Sequence, residues 1–145
     1  MADMTMKDLS RKMREIDFTM LVTRTSNGAL AGRPMSNNRD VDYTGDSYYF
    51  ANDQTRTVSD IEADPTVSLT FQGSSGVLGQ RPLFVSVEGR AELIRDKAQF
   101  KAHWTRDLDR WFANGIDTPG VVMIRVRASR IHYWNGMDEG EVTLG

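Results

Sequence analysis

Residues 33–64 read RPMSNNRDVDYTGDSYYFANDQTRTVSDIEAD, from Arg33 to Asp64. Two extended stretches stand in this window, each followed by polar groups, and the second runs into a helix start. Ser47 to Asn52, SYYFAN, is rich in aromatic residues and predicts a strand. The polar, glycine-containing run from Asn37 to Asp46 before it predicts a loop or turn. After it, Asn52, Asp53 and Thr55 are all capable N-caps. Val58 and Ile61 give an apolar edge to a helix from about Thr55 to Ala63, which Asp64-Pro65 stops. Pro34 has no N–H to donate, so the strand that carries it is expected at an edge, a bulge or a strand end.

Working outward toward the N-terminus, Phe18 to Thr25 alternates and is β-branched. Ser26-Asn27-Gly28 is a strong turn signal, and Ala29 to Ser36 returns as the second arm of a hairpin. Ahead of it, Leu9, Met13 and Ile16 recur at helical spacing and predict a helix over about residues 5–16. Thr5 and Asp8 are spaced as a capping box at its start. Toward the C-terminus, Thr66 to Gln72 alternates, with Val67, Leu69 and Phe71 on one face. Gly73 to Gln80 is a connector of loop length. Pro82 to Ile94 predicts a long strand with a bulge at Gly89.

Two short helices, Asp96 to Trp104 and Asp107 to Phe112, follow, with Asn114-Gly115 as a stop. Val121 to Trp134 is the last long strand, and Glu141 to Leu144 adds a short one. Consecutive strands joined by short turns imply antiparallel pairing. The expectation is a mainly β domain with peripheral helices, spanning residues 1–145, with six or seven strands in a closed or nearly closed barrel.

A chain of 145 residues with a net charge of -2 has no general pull toward nucleic acid or an anionic membrane. Any anion must be held locally. The absence of cysteine excludes disulfides and thiolate chemistry. With no apolar leader in the first residues and no long apolar run, the chain is expected in the cytoplasm.

Arg33 and Arg56, with the hydroxyls of Ser36, Thr55 and Thr57, are suited to a phosphate, because guanidinium forks and the N–H groups of a helix start complement that charge. The alternative is that both arginines are solvated surface charges paired with Asp40, Asp53 or Asp60. Trp134, at a strand end before Asn135-Gly136, either packs in the core or lies against a planar heterocycle. Trp104 and Trp111 read as core or interface residues. His103 and His132 lie far apart without metal-ligand spacing, so no metal site is expected. His103 and Asp107 are spaced as a helical pair. The GSSGVLGQ segment lacks the Lys-Ser/Thr of a phosphate-binding P-loop. No catalytic triad or carboxylate pair is evident, so any redox chemistry would come from a cofactor.

Three runs of sequence together resemble the pyridoxamine 5′-phosphate oxidase superfamily, and within it the bacterial general stress protein branch of flavin-binding split barrels. They are Arg33-Pro34-Met35-Ser36, then Tyr49-Phe50-Ala51-Asn52 with Thr55-Arg56-Thr57, then Ile61 to Leu69. Asp107 to Phe112 with Gly115, Asp117 and Pro119, and Ile131 to Gly136, extend the similarity to nearly the whole chain. The resemblance implies a split β-barrel homodimer with FMN or FAD in grooves at the subunit interface. In it, Arg33 and Arg56 grip the phosphate, helped by Ser36, Thr55 and Thr57. Pro34 and Met35 meet the isoalloxazine ring, Phe50 and Ala51 line the site, and Trp134 reaches it from the last strand.

Three departures matter. Thr57 stands where the oxidases of the superfamily usually carry a lysine. An aromatic, near Phe84, replaces a flavin-contacting glutamine. The C-terminal substrate clamp, Arg-x-His-x-Arg, is absent, so pyridoxamine-phosphate oxidation is not expected. Two functions remain compatible with these residues. One is a flavin-dependent oxidoreductase in a stress-related role, passing electrons from a reduced nicotinamide to a small molecule. The other is a non-enzymatic flavin carrier, or a barrel interaction module without cofactor. Haem or a deazaflavin is a further ligand class of other split barrels.

Overall fold

The computed structural model describes residues 4–37, 43–74, 81–142 and 144. The elements run α1 (Met6–Met13), β1 (Phe18–Arg24), β2 (Leu30–Ser36), β3 (Asp46–Asn52), α2 (Arg56–Ala63), β4 (Thr66–Gln72), β5 (Leu83–Ile94), α3 (Lys97–His103), β6 (Val121–Asn135) and β7 (Asp138–Val142). Short 3-10 turns occupy Arg106–Arg110 and Gly115–Asp117.

All strand pairs are antiparallel, in the order β2-β1-β4-β5-β6-β3, with β7 paired to β6. β2 and β3 are therefore the two terminal strands of one curved sheet. They do not hydrogen-bond to each other, which departs from the expectation that consecutive strands pair. The gap between them is the split of a split β-barrel.

Alternation explains which side chains fill the interior. Val67, Leu69 and Phe71 on β4 are buried, and so are Val85 and Val87 on β5, as a strand with one solvated face requires. A second apolar cluster lies outside the barrel wall, where Phe50, Val121 and Met123 meet Phe100 of α3 and Leu108. β5 and β6 stay in register from Leu83↔Asn135 to Glu88↔Arg130, then continue at Gly89↔Ala128, so β6 carries one extra residue, Ser129. The bulge expected at Gly89 is thus an extra residue on the partner strand, and a Cβ at Gly89 would stand 2.5 Å from the Arg127 carbonyl oxygen.

α1 begins as its sequence predicts, with reciprocal bonds of 3.1 and 3.3 Å between Thr5 and Asp8. It ends at Met13 rather than Ile16. The Asn37 amide, just past β2, donates to the carbonyls of Met13 and Ile16 at 3.0 and 2.8 Å, satisfying groups that another helical turn would otherwise engage. Ile16 is buried nonetheless.

The segment expected as a helix over Asp107 to Phe112 is instead the 3-10 turn at Arg106–Arg110. It buries only Leu108 and lacks the apolar stripe that sustains an α-helix. Gly115, expected as a stop, opens the next turn at φ +58°. Because α3 ends at His103, the helical spacing to Asp107 is lost, and the imidazole stacks on Tyr48 at 3.6 Å. The last short strand starts at Asp138 rather than Glu141. Asn38–Asp42 of the predicted loop and Ser75–Gln80 of the connector lie outside the described residues.

Candidate functional site

The pairing of β1 with β2 decides where the β2 side chains go. Arg33 is opposite Leu21 and Met35 opposite Thr19, both inward positions, whereas Pro34 is opposite Met20 and Ser36 opposite Phe18, both outward. Arg33 therefore turns toward the barrel side of the edge strand, and Pro34 and Ser36 turn the other way. A ligand lying over the free edge of β2 meets both.

On the inward side, Arg33 Nη1 donates to Thr23 Oγ1 at 2.8 Å and to the Leu21 carbonyl at 3.3 Å. Thr23 in turn donates to Asp60 Oδ2 at 2.8 Å, and Arg33 Nη2 stands 3.7 Å from the same oxygen. Asp60 is 5% exposed. The Arg33 side chain is 20% exposed, so it is not the solvated surface charge of the alternative reading, although Asp60 is indeed its neighbour. Burial lowers the Arg33 pKa, Asp60 opposes that, and the positive charge of Arg56 adds to it. A guanidinium remains charged under such a shift.

Arg56 opens α2 and is exposed. Among the described residues it makes no ion pair. Thr55 is the N-cap, but its side chain bonds to the Asn52 carbonyl at 2.7 Å and leaves the first-turn N–H groups of the helix without a side-chain cap. Thr57 is buried on the packed face of α2 with Val58, Asp60 and Ile61. Arg33 and Arg56 are thus brought close enough to repel each other, whereas the Thr57 hydroxyl sits on the helix's inner side.

On the outward side, Pro34, Met35, Ser36 and Phe50 line a cavity of about 310 Å³ between β2 and β3. Phe18 borders it, and Leu108, Trp111 and Phe112 from the 3-10 segment close it. Phe50 is fixed by edge-on contacts with Phe100 and Trp104 at 5.7 and 4.7 Å. Ala51, one residue on, alternates to the other face and packs against the barrel core rather than this cavity. Trp111, expected in a core or interface, is 65% exposed at the cavity rim.

Trp134 is elsewhere. It lines a groove of about 430 Å³ on the outer face of the sheet with Phe18, Met20, Gln72 and Phe84, and Phe18 is the ring common to both sites. Three strands separate β6 from β2, a distance of roughly 19 Å at the usual strand spacing. The indole is 39% exposed, which departs from the core-packing alternative, and stacks on His132 at 4.4 Å. His132 Nε2 is 2.8 Å from Glu139 Oε2 on β7, so the β6–β7 hairpin holds the pair in place.

The sequence reading missed Thr23 and Leu108, and named Asp60 only as one of three possible partners for the arginines. Two of these leave a trace: Thr23 occupies an inward position of an alternating strand, and Asp60 sits beside Ile61 on the buried face of a helix. No helix of the described residues is long and apolar enough to cross a membrane.

Comparison with known proteins agrees with this architecture. Protein bli-3 of Neurospora crassa is 27% identical over 140 residues, covering 90% of this chain and 65% of that protein, so the chain spans about two thirds of that curated relative. A crystal structure of a Clostridium acetobutylicum protein related to general stress protein 26 superposes with a TM-score of 0.78 at 17% identity, covering 96% of this chain and 94% of the other. A haem-binding protein of Mycobacterium smegmatis superposes at 0.76 with 17% identity, covering 99% of this chain and 60% of that one. These two likenesses establish a shared fold. The family model described as pyridoxamine 5′-phosphate oxidase like matches residues 4–144, and the chain belongs to that family.

Proposed function

We propose that the chain binds a flavin, FMN or FAD, over the edge of β2 in a cytoplasmic homodimer, and serves as a flavin-dependent oxidoreductase on a small molecule in a stress-related role. One observation carries this reading. Two arginines and an uncapped helix start lie on one side of β2, and a largely apolar cavity lies on the other. Charge on one side and apolar walls on the other match a ligand with a phosphate tail and a flat ring.

The residues fit such a group. Among the described residues Arg33 keeps its Nε hydrogen and those of Nη2 out of hydrogen bonds and Arg56 makes no ion pair, so both have donors to offer a phosphate. Pro34, Met35 and Phe50 would orient the ring, and Leu108, Trp111 and Phe112 would exclude water from one side of it. A bound flavin supplies the capacity to take up and release a hydride or single electrons.

The homodimer reading rests on the outer sheet face. Phe18, Met20, Phe84 and Trp134 are between 39% and 57% exposed and line one groove, an apolar surface of the kind that marks an interface. A second copy seated there is the means by which Trp134 would approach a flavin site.

Equilibrium dialysis of the purified protein with FMN and riboflavin tests the reading. FMN is expected to bind at micromolar concentration, and Arg56→Ala to weaken FMN far more than riboflavin. A folded protein indifferent to both flavins would sink it. A second reading, a flavin carrier without turnover, is favoured by the cavity walls, which include no titratable side chain among the described residues. A yellow protein that does not oxidise reduced nicotinamides would decide for the carrier. A protein that takes up haem instead would align this chain with its mycobacterial structural relative.

A further inference from the structure

The interior of the barrel holds a set of hydroxyls that the chain does not satisfy. Thr19 on β1 is fully buried, and Tyr49 on β3 is 2% exposed. Thr19 Oγ1, Tyr49 OH and the OH of Tyr43, just ahead of β3, are closed off from solvent, and none has a hydrogen-bond partner among the described residues. Buried polar groups are nearly always paired, so three orphans in one region call for a cause. The three are neighbours. Burial is the main reason the Tyr49 phenol is pushed up to about 12, and the Thr19 and Ser47 hydroxyls act against it. Burial likewise raises Tyr43, helped by Tyr49 and Asp46 and opposed by Ser47. The Tyr43 ring meets Phe71 of the core edge-on at 6.4 Å.

We infer that Thr19, Tyr43 and Tyr49 form a binding site inside the barrel for a small uncharged guest that both donates and accepts hydrogen bonds, a buried water molecule. The chemistry of the three groups selects that guest. Both phenols keep their protons, so each of the three hydroxyls can donate or accept. Asp46, the carboxylate that acts on Tyr43, is engaged by Arg125 at 2.8 Å, and an ion would find no counter-charge in three neutral hydroxyls. A buried water makes about three hydrogen bonds, which matches the orphan groups.

Thr19 and Tyr49 stand on walls that no ladder joins directly. Thr19 is opposite Met35 on β2 and Phe71 on β4, Tyr49 is opposite Ile124 on β6, and β2 and β3 share no hydrogen bonds. The guest thus ties β3 to β1 across the split through side chains. It lies on the interior face of the sheet and does not depend on the flavin reading.

A crystal structure of the full chain, at a resolution that shows ordered water, tests the site directly. A density peak about 3 Å from Tyr49 OH and from at least one of the other two hydroxyls is expected. No peak there, with the hydroxyls bonded directly to one another or left unpartnered, overturns the inference. Urea denaturation of Tyr49→Phe and Thr19→Val supplies an independent sign. If a water is held, each variant removes one of its bonds and the midpoint falls. If the hydroxyls are dry, each variant removes an unsatisfied buried group and the midpoint rises. The two losses should not add, because both act through one guest, and the double variant should match the less stable single variant. A midpoint that rises or stays level in Tyr49→Phe, or losses that add in full, overturns the inference. Should neither variant fold, the crystal structure of the native chain decides by itself.

Discussion

The cavity between β2 and β3 is walled by four separated parts of one chain, whereas the groove beneath Trp134 is walled on one side only, by the outer face of β1, β4, β5 and β6. They share the Phe18 ring, yet their aromatic side chains do different physical work. Phe50 in the first is 7% exposed and belongs to an apolar cluster. Phe84 and Trp134 in the second are exposed and packed mainly against their own sheet neighbours, in direct register with one another. The first region is enclosed by side chains from separate elements of the chain. The second is an open face whose apolar side chains stay exposed in the single chain.

That contrast is open to direct attack. The largest effect is expected from Phe50→Ala, which removes a buried ring from contact with Phe100 and Trp104 and should cost about 3 to 4 kcal/mol in urea denaturation. A cost below about 1 kcal/mol would mean that the cavity wall is not part of the core. Trp134→Ala should act on association instead. If the outer face joins two copies, sedimentation equilibrium should show dimerisation weakened by about 2 kcal/mol, the scale of an interface tryptophan. Unchanged self-association would leave the groove as an ordinary exposed patch.

A smaller loss probes the inner side of β2. Thr23→Val keeps the shape but leaves Asp60 without its hydroxyl donor, at a cost of about 1 to 2 kcal/mol by denaturation. The smallest effect lies outside both regions, at the start of α1. Hydrogen bonds from the Thr5 side chain and backbone, and more weakly Arg11 and Lys12, hold the Asp8 carboxyl below its ordinary value. A depressed folded pKa gives stability that is complete above the unfolded value and fades as pH falls through the folded one. Asp8→Asn should therefore lower Tm slightly at pH 7, and the difference should vanish in strong acid. A difference that grew with acidity would reverse the sign.

Strand alternation made most of the architecture legible. Thr66–Gln72 has the bounds its pattern predicts, and Val67, Leu69 and Phe71 share the buried face. The Thr5/Asp8 spacing gave the start of α1, but its end depends on Asn37, a residue more than twenty positions away that no local pattern connects to Met13. The candidate site divides in the same manner. The arginines and Pro34 were visible as residue types that suit an anion and an edge. The Thr23–Asp60 contact was not, because it spans 37 residues and exists only once α2 docks on β1. Ala51 shows the converse failure: it follows Phe50 in sequence, and alternation sends it to the opposite face.

Ser129 deserves a last comparison with its neighbours on β6. Before it, the even-numbered Val122, Ile124 and Val126 face inward; after it, the odd-numbered Ile131 and Tyr133 do. One unpaired residue resets the parity of the strand. Pairing Ser129 into the ladder in place of the bulge, with the Val122–Val126 end kept, would slip the far end by one residue and send the indole of Trp134 into the barrel and the phenol of Tyr133 into water. The outer groove is thus written into the chain by a residue count, at a position that touches neither groove.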